Sequence, residues 1–593
     1  MQWIVGLDAL RAIAMGLIVA YHFLHSSGIL TGGFVLIEFF LLVSGFLMTT
    51  KLLRDYRKTG EIKILSFILG RIGRFWPVVL LALVLSLCLA NFTPHELLAG
   101  LRGDTLGAAT FSTNILEIFS GKGYENTISP NLFENFWFVA LDLQLCILLP
   151  IFLTLIFSTA SRYRTAVRRS LIVCVLISII SAVLMGLYGG YWGKVERAYF
   201  VPDAQCFAFF LGAALALWRS LRPLEPRRRR FWAGVTLFVG SVGLIAESCV
   251  LRYGEQASFY WGMPLAAVLS LIVLGSLLIL QRKRTVLPKF LRLLEYIGKY
   301  SFGIYLIHYP AMLLLARVVN IALPLRLIIV LMISFVTTAL LNGLIVEIKQ
   351  RHWLAVVPIV AMLAPAVLVL IAAPNESPIM QEISQNQSER AELSIRYVQD
   401  LDNSQLEQIL HEAAENAGER AEPVENAPAM SPNDAKVLVI GDSVALGAKA
   451  EMESIIPDVY VNAEESRGIE KAVPILNQVA ASGKIPQVVI VSLTTNERYF
   501  SDDLMQGIVD AARGSRVIFV TGYAGPDQPR ETQNEAIRNF ANSHDNVYYA
   551  DWWQIAHDDW DLMYADHIHL DIEGRSVFAQ LLYNTTMNTG GLE

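Results

Sequence analysis

Three residues near the carboxyl end of the chain have the types and spacing needed for nucleophilic catalysis. Ser443 follows an apolar run in "KVLVIGDSVALG", and Asp566 and His569 lie three residues apart in "YADHIHLDIEG". A serine nucleophile needs a base to take its proton and a carboxylate to orient the imidazole. We therefore predict Ser443 as the nucleophile, His569 as the base and Asp566 as its orienting partner.

Two other interpretations of these residues remain open at this point. An Asp-Ser pair after a strand is also a common helix cap. His567 and His569, with Asp566 or Asp571, could also chelate zinc. No further cluster of histidine or cysteine supplies the remaining ligands in the sequence, so we expect no metal.

The residues from 436 onward alternate between β-rich runs and helical stretches. This alternation predicts a parallel sheet with helices on both faces. Active sites in such sheets lie at the carboxyl ends of the strands, where Ser443 is placed. The predicted strands are "KVLVIG", "VYVNA", "QVVIVSL", "RVIFVTG" and "NVYYAD".

The first part of the chain has the composition of a membrane protein. The chain has 593 residues, of which 54% are hydrophobic, and its mean hydropathy is +0.46. Apolar runs of about 20 residues, the length that crosses a bilayer, fill positions 4 to 373. They predict an α-helical polytopic bundle with eleven transmembrane helices, at 4–24, 33–50, 75–91, 137–157, 170–189, 199–218, 231–250, 258–280, 299–316, 324–346 and 352–373.

The charges of the loops predict the orientation of this bundle. With the amino terminus inside, the inner loops carry 25 Lys and Arg residues and the outer loops carry seven. Basic residues accumulate on the cytoplasmic side, so we expect a multi-pass cell-membrane protein with a cytoplasmic amino terminus and an extracytoplasmic carboxyl-terminal domain. All five cysteines fall in apolar spans, which excludes a disulfide or thiol nucleophile in residues 436–593.

An acidic segment separates the two parts of the chain. From Asn375 to Met430 there are 12 acidic residues and three arginines, a composition typical of a solvated tether. Some of this segment has helical spacing and could instead form a packing helix. The predicted domains are a membrane domain at 1–346, an eleventh transmembrane helix within 347–373, an extracytoplasmic linker at 374–435 and the sheet domain at 436–593.

Ionisable residues inside the predicted spans are candidates for function, because they are costly there. Arg11 and His22 are eleven residues apart, about three helical turns, so they share one helix face about 16 Å apart. Each such residue could instead belong to a buried polar pair that stabilises the bundle. Further candidates of this kind in the spans are Glu38, Asp142, Asp203 and His308.

Residues 436–593 resemble the SGNH hydrolase family through the blocks "GDSVALG", "NAEESRG", "LTTNE" and "DHIH". The resemblance implies an α/β/α flavodoxin-like fold and the same catalytic roles for Ser443, Asp566 and His569. It also implies an oxyanion hole formed by the Asn496 side chain and the backbone N–H groups of Ser443 and Ser466. Ser466 and Thr494 stand where the family has glycine.

Residues 1–346 resemble the acyltransferase-3 family of integral membrane acyltransferases. The similar segments are "LDALRAIAMGLIVAYH", "GGFVLIEFFLLVSGFLMT", "RIGRFWP", "FWFVALDLQLCILLP" and "YSFGIYLIHYP". The resemblance implies catalytic roles for Arg11 and His22. Further candidates for acyl transfer or donor binding are Glu38, Arg71, Arg74, Asp142, Tyr305 and His308.

A membrane acyltransferase domain fused to an SGNH domain resembles the peptidoglycan O-acetyltransferases of Gram-positive bacteria. The resemblance implies acetyl-CoA as a cytoplasmic donor substrate, no permanently bound cofactor, and peptidoglycan as acceptor, with lysozyme resistance as the outcome. The expected acceptor is the C6 hydroxyl of N-acetylmuramic acid, reached through a Ser443 acyl-enzyme. The expected surroundings are membrane lipid and glycan strands, without nucleic acid.

The sequence leaves two questions open: how the acyl group reaches Ser443, and whether it is transferred to peptidoglycan. The inner-loop residues Arg71, Arg74 and 227–230 could attract a polyanionic donor, although basic loops also serve to orient helices. Tyr305 or Tyr309 could carry the acyl group between the domains. The other possible functions are a membrane-tethered carbohydrate esterase, an O-acyltransferase for another exported polysaccharide, and a transporter or sensor without catalysis.

Overall fold

The computed structural model of the protein describes two units of the chain. One is helical and lies within residues 4–374, and the other contains a sheet and lies within residues 434–592. The described residues are 4–24, 28–92, 98, 100–120, 131–192, 194–222, 230–281, 288–318, 322–350, 356–374, 434–464, 467–483, 485–495, 500–524, 530–559, 562–564, 568–590 and 592.

The helical unit contains the apolar helices that the sequence predicts. Within the described residues, eight are long and apolar enough to cross a membrane: Leu7–Leu24, Gly33–Thr59, Ile64–Ala90, Glu134–Ser158, Tyr163–Tyr191, Arg230–Val250, Ser258–Leu280 and Leu323–Ile348. Three shorter apolar helices are Phe207–Leu221, Ser301–Ala316 and Val357–Ala372. Each predicted span coincides with one of these helices, which confirms the polytopic helical bundle.

Several of the predicted spans have the wrong boundaries. The second, predicted to end at residue 50, continues to Thr59, and the fifth, predicted to begin at residue 170, begins at Tyr163. The third, predicted to begin at residue 75, begins at Ile64, because arginine is a good helix former and Arg71 and Arg74 continue the helix toward its amino terminus. The sixth, predicted at 199–218, is divided into Val195–Phe200, Pro202–Gln205 and Phe207–Leu221. Pro202 lacks a backbone N–H, so it cannot continue the preceding helix but is well suited to begin a new one.

Three further helices in this unit were not predicted. They are Leu101–Thr110, Thr113–Ser120 and Lys289–Gly298, each of ten residues or fewer. A search for apolar runs of spanning length misses helices of this size.

Two glycines allow the helices Ile37–Thr59 and Phe207–Leu221 to approach closely. A Cβ at Gly212 would lie 2.0 Å from the carbonyl oxygen of Leu42, and a Cβ at Gly45 would lie 1.9 Å from that of Phe209. Both neighbours are backbone atoms, which cannot rotate away as a side chain can. Glycine is therefore required at this crossing, as is common where membrane helices pack by their backbones.

The sheet unit is built on five parallel strands. They are β1 (Val437–Gly441), β2 (Val459–Ala463), β3 (Val488–Ser492), β4 (Arg516–Val520) and β5 (Val547–Ala550). Their order is β2-β1-β3-β4-β5, which is the flavodoxin-like order and confirms the predicted fold class.

Both faces of the sheet are covered, and this explains the continuous apolar runs of its strands. Val437 and Val439 of β1 belong to one buried cluster, whereas Leu438 and Ile440 belong to the other. This alternation is the two-residue period of a strand. Because β1 pairs with both β2 and β3, Ser443 emerges from the interior of the sheet and not from its edge.

We expect Gly212→Ala to destabilise the helical unit by about 1–3 kcal/mol, because the added methyl group meets a backbone carbonyl that cannot move aside. The measurement is the thermal unfolding midpoint of the detergent-purified protein. Gly234→Ala is the matched control, since a Cβ there would meet no heavy atom within 4 Å. Equal midpoints for the two variants would contradict the close approach of the helices.

Candidate active site

Ser443 is held by the sharp turn between β1 and the short helix Ser443–Gly447. The Asp442 side chain caps this helix by accepting a hydrogen bond from the Val444 N–H at 3.0 Å. A Cβ at Gly441 would lie 2.2 Å from the Cβ of Ala445, so the turn needs glycine at that position. Ser443 follows the carboxyl end of β1, as predicted, and its side chain is buried.

The imidazole of His569 lies beside this serine. Its Nε2 atom is 3.0 Å from Ser443 Oγ, a distance at which the hydroxyl can donate its proton to the ring. The residue lies in a tight loop, in which the His569 carbonyl accepts from the Tyr564 N–H at 2.8 Å. Met563 and Leu570 form an antiparallel bridge across this loop.

The last helix, Ile572–Asn588, supports the histidine loop. The Asp571 side chain caps this helix by accepting from the Gly574 N–H at 2.7 Å. From its first turns, the buried Arg575 donates to the Leu570 carbonyl at 3.3 Å and to the Tyr564 hydroxyl at 3.0 Å. Residues on both sides of His569 are therefore tied to one helix.

Asp442 is a second carboxyl group close to the serine and histidine. Burial raises its pKa to about 6, although the hydrogen bond from the Val444 N–H and the electrostatic interaction with His569 act in the opposite direction. The backbone N–H of Ala445 and the side chain of Thr495 also contact this carboxyl group. Asp442 is thus a structural cap whose charge depends on pH near neutrality.

Thr494 replaces the glycine expected in the third block, and its side chain turns into the sheet. Its hydroxyl donates to the Val520 carbonyl at 2.5 Å. Gly522 faces it, and a Cβ there would lie 2.8 Å from the Thr494 Cβ. The Asn534 side chain fixes Gly522 by bonding to both its N–H and its carbonyl at 2.9 Å. The threonine is accommodated by this neighbouring glycine.

Three predicted residues of this site lie outside the described residues. They are Asp566, Ser466 and Asn496, and His567 of the zinc alternative is also among the residues that are not described. Their roles stay predictions. The structure brings together Ser443 and His569, which are the nucleophile and base of the predicted triad.

A second group of candidate residues lines a cavity of about 310 Å³ in the helical unit. Arg71 forms an ion pair with Asp142 at 3.3 Å, and Arg11 forms one with Asp8 at 3.1 Å. Much of the remaining wall is apolar. The polar and charged residues of the wall are Arg11, Ser44, Arg71, Arg74, Asp142, Lys299, Tyr300, Ser301, Tyr305 and Asn342.

A third group is a polar cluster formed by His22 and the buried residues His308, Tyr309 and Glu134. The ring of His22 lies 5.3 Å from the ring centroids of both His308 and Tyr309. The Tyr309 hydroxyl donates to Glu134 Oε2 at 2.6 Å.

The protonation of His308 follows from its hydrogen bonds. Its Nδ1 lies 2.7 Å from the Tyr305 carbonyl, which can only accept, so Nδ1 carries a proton. In the neutral ring, Nε2 is then the basic nitrogen. Nε2 is buried and has no hydrogen-bond partner among the described residues.

Glu38 and Asp203 have separate partners in the helical unit. Glu38 Oε1 accepts from the Gln205 side chain at 2.8 Å, and both residues are fully buried. Asp203 forms two hydrogen bonds with Arg197, at 2.7 and 2.6 Å. Neither acid lines the cavity, and both contacts fit the alternative of a polar pair that stabilises the bundle.

The sequence predictions for the helical unit are therefore divided between two sites. The cavity brings together Arg11, Arg71, Arg74, Asp142 and Tyr305, whereas His22 and His308 lie in the polar cluster. Sequence reasoning missed Glu134, which lies in "NLFENFWF" just before the predicted fourth span. An acidic residue within one turn of an apolar span is the signal that could have found it.

A comparison with protein families matches the acyltransferase domain of the acyltransferase-3 family to residues 4–374. The chain belongs to the acyltransferase-3 family. The match includes all eleven apolar helices as well as the cavity and the polar cluster. This acyltransferase-3 protein is therefore an acyltransferase with a multi-pass helical membrane domain.

Curated relatives match this acyltransferase-3 protein over almost its whole length. Peptidoglycan O-acetyltransferase OatA of Listeria monocytogenes is 23% identical over 621 residues, which cover 98% of each chain. O-acetyltransferase OatA of Staphylococcus aureus is 23% identical over 611 residues, covering 98% of this chain and 96% of the relative.

A solved structure is similar to a smaller part of the chain. It is the C-terminal catalytic domain of Streptococcus pneumoniae peptidoglycan O-acetyltransferase A (OatA) with a methylsulfonyl adduct. The match has 23% identity and a TM-score of 0.25, and it covers 26% of this chain and 94% of that domain.

The raised pKa of Asp442 predicts a pH dependence for the stability of the sheet unit. Because this pKa is about 6 in the fold and about 3.9 in an unfolded chain, the unfolded state releases the proton first as pH rises. The contribution of Asp442 to the free energy of unfolding is therefore greatest below about pH 4. It is lost as the pH rises through 6, a decrease of roughly 3 kcal/mol.

The test is hydrogen exchange of strand β1 in urea between pH 4 and 7, corrected for intrinsic exchange. Asp442→Asn keeps an acceptor for the Val444 N–H but removes the buried charge, so its stability profile should be flatter than that of the wild type. Asp503→Asn, at an exposed position in the helix Asp502–Ala511, is the control and should keep the wild-type profile. An unchanged profile for Asp442→Asn would contradict this assignment.

Proposed function

We propose that this protein is a membrane O-acetyltransferase that passes an acetyl group from acetyl-CoA in the cytoplasm to peptidoglycan outside the cell. The observation that carries the proposal is the 3.0 Å contact between Ser443 Oγ and His569 Nε2, in a chain whose other unit is an acyltransferase. The names of the relatives support acetyl as the group and peptidoglycan as the acceptor.

The cavity is the proposed binding site for the donor. Its wall holds four basic side chains, Arg11, Arg71, Arg74 and Lys299, and one acid, Asp142, so it favours the phosphates of acetyl-CoA. The loop charges support an orientation with the amino terminus in the cytoplasm, on the same side as the pool of acetyl-CoA.

The shape of the cavity supports a path for the thiol arm of the donor. Along the helix Leu7–Leu24, the wall extends from Arg11 to Ile18, one turn short of His22. Tyr305 also lines the cavity, and its carbonyl accepts from His308. The cavity therefore leads toward the polar cluster that contains Tyr309.

Tyr309 is the proposed carrier between the two units. Its hydroxyl oxygen attacks the thioester carbonyl, the carbon–sulfur bond breaks, and the phenolic proton passes to Glu134, with which it already shares a hydrogen bond of 2.6 Å. The departing thiolate takes a proton from His22, which is then reprotonated from solvent.

Ser443 is the proposed second carrier. His569 takes its proton as Oγ attacks the carbonyl of the acyl-tyrosine, and Tyr309 recovers its proton from Glu134. The oxyanion that forms is stabilised by the backbone N–H of Ser443 and by Ser466 and Asn496, the predicted oxyanion hole. A sugar hydroxyl then attacks the acyl-serine while His569 acts as base again, with Asp566 orienting the ring.

The proposed acceptor is the C6 hydroxyl of N-acetylmuramic acid. We expect Ser443→Ala to fold normally and to reduce wall O-acetylation by roughly a thousandfold or more, because removing a nucleophile removes the covalent route. The measurement is mass spectrometry of muropeptides from cells that contain each variant as their only copy. Ser543→Ala, an exposed serine of the same unit, is the control.

Two outcomes of this experiment would contradict the proposal in different ways. An increase in muropeptide acetylation in the Ser443→Ala cells would identify a tethered esterase that normally removes the groups. Unchanged muropeptides with loss of acetyl groups from another exported polysaccharide would keep the transferase but replace the acceptor.

A further inference from the structure

The helix Lys289–Gly298 lies between two apolar helices of the chain, Ser258–Leu280 and Ser301–Ala316. Its ten residues make it about 15 Å long, which is half the thickness of the hydrocarbon core. It therefore does not span the membrane. The membrane helices on both sides in sequence keep it near the membrane surface.

The inner face of this helix is fixed against the amino-terminal membrane helix. A Cβ at Gly298 would lie 1.7 Å from the Asp8 carbonyl oxygen, so the two backbones are in direct contact. The Glu295 side chain accepts a hydrogen bond from the Gly6 N–H at 2.6 Å. These contacts determine which side of the helix faces outward.

The outer face combines large apolar and basic side chains. Phe290, Leu293 and Tyr296 are 64%, 60% and 49% exposed. Lys289 and Arg292 are also exposed, and within the described part of the chain neither forms an ion pair. At 100° per residue, Arg292 and Lys289 lie toward one edge of this face, and Leu293 and Phe290 lie toward the other.

We propose that the outer face of Lys289–Gly298 binds the anionic lipid surface of the adjoining leaflet. Phe290 and Leu293 enter the boundary of the acyl chains, as the apolar edge of an interfacial helix does. Lys289 and Arg292 remain among the headgroups, where basic residues attract anionic lipids. In this arrangement the apolar edge of the helix contacts acyl chains and the basic edge contacts headgroups.

The proposal has a consequence for the cavity. Lys299, Tyr300 and Ser301, which follow the helix directly, are part of the cavity wall. The lipid contact therefore adjoins the wall of the cavity. The lipid-binding surface does not depend on the identity of the acyl donor or acceptor, so its test is separate from that of the proposed function.

The experiment uses the full-length protein in nanodiscs of phosphatidylcholine mixed with phosphatidylglycerol. A photoactivatable phosphatidylglycerol or phosphatidylcholine is included, and mass spectrometry maps the crosslinks to the peptide that contains residues 289–298. We expect more crosslinking from the anionic lipid. In Lys289→Gln/Arg292→Gln, that preference should fall roughly tenfold or more, because each basic residue near an anionic surface contributes to binding.

The matched control is Lys58→Gln/Arg222→Gln, which removes one lysine and one arginine from exposed positions elsewhere in the helical unit. It should keep the wild-type lipid preference at residues 289–298. Leu293→Asp should lower crosslinking from both lipids by opposing insertion. Equal crosslinking from the two lipids in the wild type, or an equal loss in the control, would overturn the proposal. Size-exclusion profiles establish that each variant is folded.

Discussion

The hydrogen bond between Ser443 Oγ and His569 Nε2 joins residues that are 126 positions apart in the chain. It depends on the sheet, because β1 delivers Ser443 to the carboxyl edge and Gly441 permits the turn that follows. It depends equally on the last helix, because Arg575 ties down the loop around His569. Weakening either support would separate the proposed nucleophile from its proposed base, so the strand β1 and the last helix both hold the candidate site together.

The helical unit places its polar groups in two distinct environments. The cavity has an excess of basic side chains and suits a polyanionic donor, whereas the cluster around Tyr309 is a compact set of hydrogen-bonding groups. Ionisable groups in a membrane are costly and are retained where they pair or act in chemistry. Arg71 and Asp142 are retained as an ion pair. The hydrogen bond between Tyr309 and Glu134 is compatible with a pairing role and with a role in the chemistry.

Patterns imposed by local physics were predictable from the sequence. The bilayer thickness sets the length of apolar helices, and a buried parallel sheet needs continuous apolar strands. The eleven apolar helices and five strands therefore occur in the predicted parts of the chain, although several helix ends differ from the prediction. Contacts between distant segments were not predictable. The partnership of Glu134 with Tyr309, the packing of Thr494 against Gly522 and the position of Lys289–Gly298 all depend on tertiary packing. Pro202 shows how one residue can move a helix boundary.

The proposed transfer of one acyl group from the helical unit to Ser443 is tested most directly with isotopically labelled acetyl-CoA. The full-length protein is incubated with it in membranes, and the labelled peptides are mapped by mass spectrometry. We expect label on Ser443 in the wild type, accumulation on Tyr309 in Ser443→Ala, and no label on Ser443 in Tyr309→Phe. Label on Ser443 in Tyr309→Phe at the wild-type level would contradict the relay through the helical unit.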